Sequence, residues 1–120
     1  EKLSQSPFIN VPSPLPGEVR APDSIQFNLQ NMEDAAIRTF AGAADAGGVK
    51  VQVFGQSTDN ARAFWNWQFI PDLPELAQTR KMLMRACDVR LPVQLSRADL
   101  DQVCDVILKA LDTTANARAA

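Results

Sequence analysis

DSIQFNLQNMEDAAIRTFAGAADAGGVKVQVFG, residues 23–55, changes its hydrophobic period twice, and that change sets the fold class. In DSIQFNLQ, Ile25, Phe27 and Leu29 alternate with Ser24, Gln26 and Asn28, the period-two signature of a half-buried strand. Residues up to about Ala46 then place Ile37, Phe40, Ala41 and Ala44 on one helical face, with Glu33, Arg38 and Asp45 turned away. Asn31 or Asp34 is the expected helix cap. Gly47-Gly48 supplies a helix end in the left-handed conformation that glycine tolerates best. Val49, Val51 and Val53 resume the strand period.

Beyond it, GQSTDNAR (55–62) is polar and predicts a loop. FWNWQFI (64–70) predicts an extended segment, with Trp65, Trp67 and Phe69 on one side and Phe64, Asn66 and Gln68 on the other. Four of the chain's eight aromatic residues fall in that segment, which marks it for packing against something. PELAQTRKMLMRAC opens with proline in a first helical turn, and Leu76, Leu83 and Cys87 can line the inner face of that helix. VRLPV (89–93) predicts a short strand with Pro92 favouring an edge or an end. Ser96 and Asp99 form a capping-box-like start, after which Leu100, Val103, Cys104, Ile107, Leu108 and Leu111 follow at spacings of three and four. The order β-α-β-(β)-α-β-α implies an α+β fold, a small and mostly antiparallel sheet with helices packed on one face.

Residues 1–22 hold five of the eight prolines, Pro7, Pro12, Pro14, Pro16 and Pro22, which reads as an extended arm or interdomain connector. The expected organisation is that arm, an α+β domain over 23–112, and a frayed tail over 113–120.

Composition narrows the chemistry. A net charge of −2 gives no general attraction to nucleic acid, and no apolar run reaches the roughly 20 residues that span a bilayer. The N-terminal residues lack a signal-peptide core, so a cytoplasmic location is the expectation. With no histidine and no tyrosine, Ser-His-Asp and Cys-His catalysis and histidine-ligated metals are excluded. No CxxC and no glycine-rich phosphate loop is present, and Cys87 and Cys104 read as small buried hydrophobes on helices.

DSIQFNLQNMEDAAIRTFAGAADAGGVKVQVFG, FWNWQFIPDLPELAQTRKMLMRACDVRLPV and LSRADLDQVCDVILKAL, in that succession over residues 22–111, resemble the C-terminal small domain of fold-type-I, pyridoxal-phosphate-dependent aminotransferases of the DegT/DnrJ/EryC1/StrS group. The resemblance implies a unit that packs on a large domain carrying pyridoxal 5′-phosphate and its Schiff-base lysine. It also implies a homodimer, and amino transfer from a small-molecule donor to a carbonyl acceptor, a keto acid or keto sugar. The segment would be inactive alone, since Lys2, Lys50, Lys81 and Lys109 sit where a Schiff-base lysine is not expected. By the same resemblance Arg90 stands where the wider class grips a substrate carboxylate. Arg62, Asn60 and Gln56 would lie near the cleft entrance, and Trp65 and Trp67 would form packing surface or cleft wall. The residues alone leave a second possibility, a stand-alone ferredoxin-like module that binds or senses a small molecule without catalysis.

Overall fold

The computed structural model describes residues 1–119 and is α+β. Its four strands are β1 (Ile9–Asn10), β2 (Ser24–Leu29), β3 (Gln52–Val53) and β4 (Ala86–Arg90), antiparallel in the order β1-β2-β4-β3. The helices are α1 (Asp34–Ala46), α2 (Ala77–Leu83) and α3 (Arg97–Ala119). The last strand in sequence is thus inserted between the second and third, with Phe27 opposite Cys87 and Val53 opposite Cys87 from the other side.

The alternation expected for β2 decides which face is covered. Phe27 and Leu29 join Ile9, Val53, Cys87 and Val89 in one buried cluster with Ile37 and Phe40 of α1 and Ile107 and Leu111 of α3. Each of these large side chains contributes about 2 kcal/mol by leaving water. The opposite face carries Ser24, Gln26 and Asn28, with Gln26 and Gln52 flanking Asp88 in register.

Gly48, at φ +89°, ends α1 in the left-handed region as expected, and its N–H bonds to Asp45 O at 2.9 Å. Neither expected residue caps that helix. The cap position is Glu33, with no side-chain cap bond. Asn31, itself at φ +57°, gives its side-chain amide to Pro7 O at 3.0 Å, and Asp34 pairs with Arg85 at 3.1 Å. Ser96 and Asp99 do form the reciprocal box: Ser96 N–H donates to Asp99 Oδ2 at 2.8 Å, and Asp99 N–H to Ser96 Oγ at 3.2 Å.

Four boundaries differ from expectation. The first eleven residues are part of the domain: Leu3 and Ile9 are buried in the core, and Ile9 pairs with Leu29. Lys2 Nζ further ties this segment to α3 through Asp105 Oδ1 at 2.7 Å. Only residues 12–22, which hold four of the five prolines, run exposed along the surface. The pairing segment 9–11 contains no proline, so its backbone donors remain free for β2.

The expected tail is helical as far as Ala119, and Ala120 lies outside the described residues. Thr114 is 2% exposed, and its hydroxyl bonds back to Ala110 O at 2.8 Å, so the helical turn at Thr114 is packed against the core. The expected 89–93 strand lies instead at 86–90, because Pro92 has no N–H to continue a ladder. Cys87 is therefore a strand residue, while α2 stops at Leu83. Finally, 64–70 is not extended; Phe64–Asn66 forms a 3-10 turn.

Leu111→Ala should lower unfolding free energy by about 3 kcal/mol in a urea titration, the usual cost of a cavity at a fully buried leucine. The Asp99 carboxyl is held below its usual 3.8, chiefly by the Ser96 hydroxyl and then by the Ser96 N–H. A depressed folded value adds stability above the unfolded value and loses it as pH falls through the folded one. Ser96→Ala should therefore lower the urea midpoint at neutral pH, and the gap to the parent should narrow as the solution is acidified below 3.8.

Candidate functional site

The second face of the sheet is where the polar residues singled out in the sequence meet. Asp88 lies at the middle of β4, and the alternation that sends Cys87 and Val89 into the core sends Asp88 to the opposite face. It is nevertheless only 1% exposed, because the segment after β3 folds over it. Arg62 from that segment reaches Asp88 Oδ2 at 3.6 Å, and Arg90 Nε approaches the same oxygen at 3.4 Å. Neither carboxylate oxygen of Asp88 has a hydrogen-bond partner, so the charge is balanced by ion pairing without close directional bonds.

Arg90 also contacts Asp23 Oδ2 at 3.4 Å through Nη1. Its guanidinium is thus engaged by two acids of its own chain, one on its own strand and one just before β2. Arg62 is engaged twice as well, by Asp88 and by the ring of Phe54, whose centroid lies 4.4 Å from its guanidinium carbon. The two arginines and two aspartates together carry no net charge.

Asn60 has a structural task. Its side-chain oxygen accepts the N–H groups of Arg62 and Ala63, both at 3.0 Å, and its amide donates to Phe54 O at 3.1 Å. Asn66 completes the knot by donating to Ser57 O at 3.0 Å and Asn60 O at 2.9 Å. The turn at 64–66 is closed by Asn66 N–H to Ala63 O at 2.9 Å and Trp67 N–H to Phe64 O at 3.0 Å, so those donors are taken locally rather than by a sheet ladder. Gln56 belongs to a 3-10 turn at Phe54–Gln56, and its side-chain nitrogen is buried without an acceptor. Gly55 is the only residue that fits there, since an added Cβ would meet the main-chain nitrogen of Met84 at 2.8 Å.

The aromatic residues close the same knot. Phe64 is buried and meets Trp65 edge-on at 5.2 Å and Trp67 at 6.5 Å. Trp67 donates its indole N–H to Ala61 O at 2.6 Å. The Arg80 guanidinium lies 4.0 Å from the Trp65 ring, pinning α2 to the turn. Phe69 stacks on Trp67 at 5.5 Å yet is 74% exposed. Trp65, Trp67 and Phe69 therefore share no single stripe; the two tryptophans pack locally.

Arg62, Arg90 and, through the loop, Asn60 converge on one region. The Asp88–Arg90 pair is legible in their spacing of two along one strand, and the burial of Asp88 is signalled by its place between Cys87 and Val89 in a core strand. The residues present do not fit a resident pyridoxal phosphate. Lys50, Lys81 and Lys109 are exposed, Lys2 is held by Asp105, and no backbone cradle for a phosphate is formed by the scattered glycines. Burial pushes the Cys87 thiol up to about 12, away from nucleophile chemistry. Among the described residues no group of histidine, cysteine and acidic side chains is placed to hold a metal, and no helix is long and apolar enough to cross a membrane.

The chain matches no protein-family model, no curated protein and no solved structure.

Asn60→Ala removes three hydrogen bonds from the knot and should cost about 2 kcal/mol, at roughly 1 kcal/mol for each bond less what water restores. Tryptophan emission should shift to the red while helix content by circular dichroism is retained. An unchanged emission maximum would mean that Asn60 does not hold the aromatic turn.

Proposed function

We propose that this chain is the small domain of a pyridoxal-phosphate-dependent aminotransferase of the DegT/DnrJ/EryC1/StrS type. In this reading it packs on a large cofactor-bearing domain within a homodimeric, cytoplasmic enzyme. The whole enzyme transfers an amino group from a small-molecule donor to a keto acid or keto sugar. The observation that carries the reading is the ordered succession of strand, helix, glycine turn, valine-rich segment, aromatic turn, helix, strand and capped terminal helix over residues 22–111.

Two surface features support it. Phe69, Ile70, Leu76 and Met82 expose apolar side chains within fourteen residues of each other, a surface suited to burial against another domain. Separately, Arg62 and Arg90 are held by Asp88, and both side chains stay partly open to water. Planar donors held this way orient a carboxylate-bearing substrate at a domain boundary, and the domain's bulk excludes water from the cleft it closes. The cofactor supplies the electron sink; the residues here supply position and charge.

A stand-alone ferredoxin-like binding module is the second reading: β2, β4 and β3 lie side by side, all antiparallel, with α1 and α3 packed on one face.

The gene product carrying this chain should be purified, incubated with pyridoxal phosphate and freed of excess by gel filtration. A retained visible absorption band, bleached by an amino donor such as glutamate, is the expected result. A colourless protein that retains no cofactor would overturn the reading.

A further inference from the structure

The ladder between β3 and β4 stops early, and a cleft opens where it ends. Register pairs Gln52 with Asp88 and Val53 with Cys87, so the next partners on the same line would be Lys50 and Arg90. They do not pair. The chain leaving α1 is held at the helix end, where Val49 N–H bonds to Ala44 O at 2.9 Å, and residues 48–51 form no strand. Odd-numbered residues of β4 and its flanks bond toward β2, as Leu29 N–H to Arg85 O and Leu91 N–H to Asp23 O show. Even-numbered residues therefore turn their main-chain groups toward β3. Arg90 N–H and C=O point where the ladder has ended.

The resulting cleft has a volume of about 560 Å³, within the range that holds a small metabolite. Val49, Val89, Pro92, Leu95 and Val103 give it aliphatic walls, while Lys50, Gln52, Asp88 and Arg90 form its polar side, the Asp88 carboxylate being paired with Arg62 and Arg90. Lys50 is exposed, and among the described residues it joins no ion pair. The Arg90 guanidinium is taken up by Asp88 and Asp23, but its main-chain N–H is not.

We propose that this cleft binds a small carboxylate with a branched aliphatic chain. One carboxylate oxygen accepts the Arg90 main-chain N–H, completing the interrupted ladder, and the other pairs with Lys50. The aliphatic chain replaces water against Val49, Val89, Leu95 and Val103. Recognition is amphipathic: the anion is fixed at a main-chain donor and one mobile cation, and selection comes from the shape of the apolar walls. The inference needs neither a cofactor nor a second domain, so it stands or falls separately from the aminotransferase reading.

The test is titration of the intact, isotopically labelled protein with 4-methylpentanoate, followed through its assigned amide signals. Saturable shifts centred on Val89 and Arg90 are expected. The neutral 4-methylpentanamide, of the same shape, should bind about tenfold more weakly, the cost of one charge-assisted contact. Lys50→Gln, at an exposed position that leaves the fold intact, should weaken the acid by about fivefold to tenfold and leave the amide unchanged. Absence of saturable shifts, equal affinity for acid and amide, shifts centred elsewhere, or full affinity in Lys50→Gln would each overturn the proposal.

Discussion

The placement of β4 between β2 and β3 is the constraint on which everything else rests. It pairs with β2 on one side and β3 on the other, and it enters the sheet only after the turns, loop and helix of residues 54–85 that follow β3. Its alternation then assigns two jobs. Cys87 and Val89 seal the core against α1 and α3, whereas Asp88 faces the other way and must be neutralised. A carboxylate that is 1% exposed is costly unless charges meet it, and the two that do come from different parts of the chain. Arg62 is delivered by the loop and Arg90 by the strand itself. The buried acid thereby fastens the loop to the sheet.

That fastening explains the aromatic cluster. Phe64, Trp65 and Trp67 form a small second apolar body outside the main core, held by Asn60 and Asn66 and by Arg80 stacked on Trp65. The knot covers the polar sheet face at Asp88. The cleft lies alongside, at the edge of β4 left open where β3 ends after two residues, with Asp88 and Arg90 in its lining. One strand thus has a tightly covered acid on one face and an open main-chain edge beside it.

The role of the N-terminal residues follows from the same sheet. β2 would be an exposed edge without β1, whose two residues pair with Leu29 and Asn28 while Leu3 and Ile9 plug the end of the core. The proline-dense stretch after it is then a surface crossing from β1 to β2 rather than a lead-in to the domain.

The sequence by itself determined the elements whose signals are local. β2 was legible from its period of two, α1 from its apolar face and glycine stop, and α3 from the Ser96–Asp99 box and the spacing of its leucines, because hydrogen bonds and burial there repeat along one segment. The α+β class followed from their order. Only the tertiary structure decided the rest. FWNWQF alternates like a strand but turns: its Asn66 and Trp67 N–H groups bond to Ala63 O and Phe64 O, Asn60 and Asn66 tie the preceding loop in place, and its rings have one another to pack on. Thr113 and Thr114 read as an unpatterned tail, yet burial against the core fixes that turn as helix. Arg62 and Arg90 are twenty-eight residues apart in a chain with many arginines, and nothing local says that both will meet Asp88. Strand order decides that, and it is set by which buried faces fit together across the whole chain rather than by any segment's own pattern.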